Sequence, residues 1–165
     1  RAECAFHGSS SGMDPFVSYL DQPVLFTKDG IQLIIDSSFN LSDFFLIDTG
    51  ISRCTAHYVQ LFKVKCERSK IYRDQVKELQ SLNADLIKAI LNNQQNDVKS
   101  SLKSVSTLQF EMFQEMIPDD YKKVWQQGLQ SGEYYLKLCG AGGGGMILGW
   151  SDTPSFDCKY TLIQI

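Results

Sequence analysis

Apolar residues recur along this chain in two periods. Through residues 72–91, Val76, Leu79, Leu82, Leu86 and Ile90 fall three and four positions apart, the spacing of one face of a helix. Residues 97–116 repeat the pattern with Val98, Leu102, Val105, Leu108 and Phe113, and Pro118 stops it. An earlier helix is predicted from Arg53 to about Cys66, where His57, Tyr58, Leu61, Phe62 and Val64 lie near helical spacing. A short one follows Pro118, capped by Asp119 or Asp120, passing through Trp125 and Leu129 and ended by Ser131-Gly132. The charges on these helices are mixed in sign and read as solvated faces.

The outer parts of the chain follow the shorter period. Asp14-Pro15 opens a short helix through the run FVSYL, with Asp14 as its N-cap. Residues 23–26 (PVLF) read as a strand, Lys28-Asp29-Gly30 as a turn, and the alternating residues 31–36 as a second strand. Residues 44–48 (FFLID) form a continuous apolar run between turn signals and predict a buried strand. Residues 134–139, 146–150 and 159–165 supply three more. Strands, then a helical block, then strands predict an α+β fold, a mostly antiparallel sheet with a helical layer on one face.

Composition narrows the function classes. A chain of 165 residues suits one domain, or one domain and part of another. Its 43% hydrophobic content, with 10 Phe and 7 Tyr, builds a core and excludes general disorder. The net charge of -3 argues against a nucleic-acid groove. No run approaches the ~20 apolar residues of a membrane span, and no basic-then-apolar leader is visible. Cys4, Cys54, Cys66, Cys139 and Cys158 are odd in number and contain no CxxC. Neither a zinc site nor a disulfide framework fits, so a reducing, cytoplasmic setting is expected. The chain begins at Arg1 with motif-bearing residues close behind, and reads as a piece of a longer protein.

Two segments carry chemistry. Gly140, Ala141, Gly142, Gly143, Gly144 and Gly145 form a run in which all but one residue lacks a Cβ. Such a run costs conformational entropy. It suits close backbone approach to an anion, and a tight strand-to-strand turn is the plainer alternative. A Walker loop is excluded because Met146 and Ile147 stand where Lys and Ser/Thr are needed. The spacing G-x-G-x-x-G is present, but a strand-like MILGW follows in place of the helix a dinucleotide site requires. The second segment, HGSSSGMDP, joins a hydroxyl-rich loop to a carboxylate at a helix start. Asp14 there can act toward an alcohol proton, or serve simply as a cap. Glu3 is a second nearby carboxylate, and one or two carboxylates beside a phosphate suit Mg²⁺.

His7-Gly8-Ser9-Ser10-Ser11-Gly12-Met13-Asp14 resembles the "HGxPSGxD" signature of the GHMP small-molecule kinases, with Ser10 in place of proline. KLCGAGGGG at residues 137–145 resembles their "KLTGAGGGG" motif, with Cys139 in place of threonine. DTGISRCT at residues 48–55 is similar to a strand-to-helix segment of the mevalonate kinase branch. The resemblance implies a GHMP kinase carboxyl-terminal domain over residues 30–165, with residues 1–29 the tail of the amino-terminal, ATP-binding domain. It implies ATP-dependent phosphorylation of a small alcohol, mevalonate above all, with ATP and Mg²⁺ as cofactors.

By the same resemblance Asp14 is the catalytic carboxylate and Glu3 a Mg²⁺ ligand. His7, Ser11, Arg53 and Thr55 face the substrate, and residues 140–145 line the phosphate site. The family's main ATP loop, a Pro-x-x-x-Gly-Leu-Gly-Ser-Ser-Ala type motif, is absent, so these residues alone are expected not to turn over. The expected partner is a small-molecule substrate, not nucleic acid or membrane, and a homodimer stays open. Other GHMP members (a sugar kinase, or diphosphomevalonate decarboxylase) and a non-catalytic binding protein on the same fold are the alternatives.

Overall fold

The predicted helices form, and the deviations sit at their ends. A computed structural model describes residues 13–27, 29–34, 39–52, 55–152 and 160–165. The chain divides into two compact units, Arg1–Ser38 and Phe39–Ile165.

In the first unit, helix α1 spans Met13–Leu20, and strands β1 (Val24–Thr27) and β2 (Gly30–Leu33) form an antiparallel hairpin. Asp14 therefore lies inside the first turn of α1, not at the N-cap position expected of it. The Thr27 hydroxyl donates to the Gly30 carbonyl (3.1 Å) and accepts from the Asp29 N–H (3.2 Å), which closes the hairpin turn. Strand β2 is exposed along its length. Residues 35–38 lie outside the described residues.

The second unit carries β3 (Phe44–Asp48), four helices and three closing strands. The helices are α2 (Thr55–Arg68), α3 (Lys70–Leu91), α4 (Gln95–Met112) and α5 (Asp119–Ser131), and the strands β4 (Tyr134–Leu138), β5 (Met146–Ser151) and β6 (Thr161–Gln164). The sheet order is β4-β5-β3-β6, antiparallel throughout. The helices form a layer in which α2 packs on α3, α3 on α4, and both α4 and α5 on β4. This is the α+β class that the order of elements predicted.

Leu138, Ile147 and Ile47 stand opposite one another across three strands, and all three are buried. Such cross-strand rows are the packing unit of a sheet. Tyr135 and Trp150 make a second row, their rings stacked at 6.3 Å.

Helix ends show local chemistry at work. Ser69 caps α3 by accepting the Tyr72 N–H at 3.1 Å. Pro118, not Asp119 or Asp120, occupies the N-cap of α5. Its fixed φ of -58° with ψ 140° sets the chain up to enter the helix. The two aspartates sit in the first turn, where they favour the positive end of the helix dipole. Gly132 ends α5 in the left-handed conformation at φ 73°.

Helix α4 was expected to run to Met116 but ends at Met112. The following turn, held by the Phe113 carbonyl accepting from the Met116 and Ile117 N–H groups, brings Met116 to the glycine loop. The stripe of α4, residues 98, 102, 105, 109 and 112, is apolar except at Gln109. That side chain is only 6% exposed, and its Oε1 accepts the Leu138 N–H at 2.8 Å. Ser106 is also buried and accepts the Trp125 indole N–H at 2.8 Å.

Candidate functional site

The glycine loop closes the β4–β5 hairpin. Five of residues 140–145 have positive φ, which a chain of L side chains resists. Gly143 (φ 76°) lies flush against the Tyr58 ring, where an added Cβ would come within 2.0 Å of a ring carbon. Gly144 (φ 143°) lies against Ile51, where a Cβ would come within 2.5 Å of the carbonyl oxygen. The close approach that these glycines permit is thus made, at both positions, with the protein itself. The Gly143 N–H donates to the Met116 carbonyl at 2.5 Å, and the Gly145 N–H to the Ile51 carbonyl at 3.1 Å. The strand β5 that follows confirms that no dinucleotide-type helix succeeds the loop.

The end of β3 completes this arrangement. Thr49 donates to the Gly145 carbonyl twice, from its N–H (3.0 Å) and from its hydroxyl (2.7 Å). The Asp48 carboxylate accepts the Gly50 N–H at 2.9 Å and shapes the turn toward α2. Residues 48–52 and the first turns of α2 therefore border the loop. Thr55 is the first residue of α2, and it is exposed. No acidic residue stands in that first turn to oppose an incoming anion.

Of the residues singled out by sequence, the structure describes the six loop residues and Thr55 with their surroundings, and the backbone of Asp14 in α1. Glu3, His7, Ser11 and Arg53 lie outside the described residues, as does the side chain of Asp14. Among the described residues no three His, Cys, Asp or Glu side chains gather as a metal set. No helix among them is long and apolar enough to cross a membrane.

Sequence reasoning missed Tyr58, Thr49 and the Met116 carbonyl. Tyr58 was read only as part of an apolar stripe, and a backbone carbonyl leaves no trace in sequence. Lys137 entered the sequence reading only as the first residue of the KLCGAGGGG string; its Nζ donates to the Leu138 carbonyl at 3.3 Å. Burial pushes this ammonium below the usual lysine range. Further along α2, Lys65 bridges Glu115 at 2.7 Å and holds its carboxyl below the usual range. Nearby, burial pushes the Tyr72 hydroxyl up to about 12, with Cys66 and Glu115 adding to the shift.

No family model and no curated protein sequence matches the chain. Solved structures do. The chain superposes on mevalonate kinase from L. major, determined in complex with R-mevalonate, with a TM-score of 0.69 at 16% identity, covering 92% of this chain and 47% of that one. The fold is that of a mevalonate kinase carboxyl-terminal region. A Lin0012 protein from Listeria innocua matches with a TM-score of 0.60 at 20% identity, covering 75% of this chain and 35% of that one. The chain thus spans about half the length of the mevalonate kinase it matches, and at these identities the likeness speaks for the fold alone.

Proposed function

We propose that these residues form the substrate-side part of an ATP-dependent kinase of the GHMP class that phosphorylates a small alcohol, with mevalonate as the substrate. The observation that carries this reading is the junction of the glycine loop with the β3–α2 segment. A loop with several inverted glycines and an exposed helix start lie side by side, in a fold similar to a mevalonate kinase. Phosphoryl transfer depends mostly on positioning and charge stabilisation, and a rigid backbone wall beside a helix N-terminus suits both.

In this reading Asp14 orients the substrate hydroxyl and accepts its proton. Arg53 and Thr55 hold the carboxylate end of the substrate, a guanidinium being well matched to that group. His7 and Ser11 complete the substrate contacts. Gly140, Ala141, Gly142, Gly143, Gly144 and Gly145 border the phosphates. Since the Gly143 and Gly145 N–H groups are bonded within the protein, their part is to hold the wall in shape. Mg²⁺ takes only one or two protein carboxylates beside phosphate oxygens, so Glu3 alone is an adequate contribution from this chain. When bound, Mg²⁺·ATP supplies the phosphoryl group and neutralises charge on it.

The test is ADP release by the full polypeptide carrying these residues, with Mg²⁺·ATP and mevalonate, galactose, homoserine or phosphomevalonate. Turnover with mevalonate alone, reduced about 100-fold or more by Asp14→Asn, is expected for loss of a general base. Turnover with another alcohol refutes the substrate. A folded protein that turns over none of the four refutes the kinase reading.

A further inference from the structure

Tyr58 stands at a place that no motif marks. It lies on the first turn of α2, three residues after Thr55, half-buried, with its ring against the Cα of Gly143. Gly143 is bonded through its N–H to the Met116 carbonyl. The loop is therefore gripped by a ring from α2 and by the turn that follows α4. One residue on, Gly144 packs on Ile51, and Gly145 is tied to Ile51 and Thr49. Every one of these partners except Met116 belongs to residues 49–58, the segment that also holds Arg53 and Thr55. The neighbouring His57 ring lies nearly perpendicular to that of Tyr58, with centroids 5.1 Å apart, and steadies it.

We propose that Tyr58 is a positioning residue that locks the glycine loop to the start of α2, so that the phosphate-side and substrate-side walls of the site hold one spacing. This rests on the kinase reading above for its catalytic consequence, but not for its structural one. The physical argument is entropic. A run of glycines has more backbone freedom to lose than any other sequence, and a loop that wanders by about 1 Å forfeits up to about 100-fold in rate. The hydrogen bonds of Gly143 and Gly145 fix the loop at two points. The Tyr58 ring closes the side on which Gly143 would otherwise swing. Its aromatic face, and not its hydroxyl, does this, so phenylalanine serves equally and alanine does not.

Two readouts on the full polypeptide test the proposal. In Tyr58→Ala the Gly143 and Gly145 amides should exchange with solvent at least about tenfold faster, while Tyr58→Phe matches the parent protein. Ser106→Ala, which loosens the helical layer at a distance, is the control: it should lower stability without selectively exposing these two amides. In turnover, Tyr58→Ala should lower kcat/KM for ATP by about 10- to 100-fold, and Tyr58→Phe should stay within about twofold. Gly143→Ala should be far less damaging in the Tyr58→Ala background than alone, because contacting residues are not additive. Unchanged amide exchange in Tyr58→Ala, equal losses in the Phe and Ala variants, or strict additivity with Gly143→Ala each overturn the proposal. If the parent protein turns over no alcohol, the kinase reading falls, and amide exchange alone decides the role of Tyr58.

Discussion

Gln109→Leu tests the logic of the core most sharply. The substitution puts an apolar side chain of comparable size at the same place on the buried stripe of α4, so no cavity is made. What it removes is the acceptor for the Leu138 N–H, a 2.8 Å bond between two buried groups. Leu138 ends β4, which is an edge strand of the sheet among the described residues, and Leu138 is 4% exposed. Water therefore cannot easily replace the lost acceptor. An orphaned buried donor costs about 1–3 kcal/mol, against a small gain from burying leucine in place of an amide. The expected net loss is about 1–2 kcal/mol, or a fall in Tm of roughly 3–6 °C for a chain of this size.

Urea denaturation measures the loss, with the slope expected to stay constant. Amide exchange at Leu138 locates it, and protection there should fall more than at Leu136. A variant as stable as the parent, with Leu138 still protected, refutes the claim that Gln109 is retained for this bond.

Three further outcomes follow from the same reasoning. Gly149→Ala places a Cβ within 2.2 Å of the Phe45 ring, and overpacking of this kind costs about 1–3 kcal/mol; Phe45→Leu in the same chain should recover part of the loss in a denaturant titration. The Glu115 carboxyl is lowered by Lys65, so the bridge adds stability above the ordinary carboxylate range and loses it as pH falls through the lowered folded value. The pair is half in solvent, so Lys65→Met should reduce stability at pH 7 by less than about 1 kcal/mol and flatten the decline between pH 5 and 3. Lys137, lowered by burial, binds its proton more weakly folded than unfolded. Stability should therefore rise with pH through the window between the two values, and Lys137→Met should be more stable than the parent at pH 7 and lack that rise.

Most of the fold was legible because periodicity reports burial. Val98, Leu102 and Val105 announced α4, and Phe44 to Asp48 announced a central strand, because both patterns are imposed by the same core. The ends were less legible. Helix α4 stops at Met112 although its apolar pattern continues to Phe113 and Met116, since those residues stay buried in a turn. Strand β2 alternates like a half-buried strand, yet Ile31 and Leu33 are exposed, because alternation states which residues share a face and not what covers it.

In the candidate site the glycines were conspicuous, but their reason was not. Composition pointed to an external anion as their contact, whereas Tyr58, Ile51 and Met116 make contacts of that kind from within. Gln109 was passed over altogether, since one polar residue on an apolar stripe looks like an interruption until its partner is seen.

The loop's anchors are mostly main-chain atoms. The carbonyls of Met116 and Ile51, and the backbone of Thr49, would be present whatever side chains stood at those positions. The loop itself, the Thr49 hydroxyl that donates to the Gly145 carbonyl, and the ring of Tyr58 depend on residue identity. The instructions for this junction are therefore divided between the glycines and two side chains that face them, while the main-chain anchors come with any sequence. At positions 51 and 116 the hydrogen bonds to the loop ask only for a carbonyl in the right place. The shape of the junction is thus carried more by the path of the chain than by the identity of most residues along it.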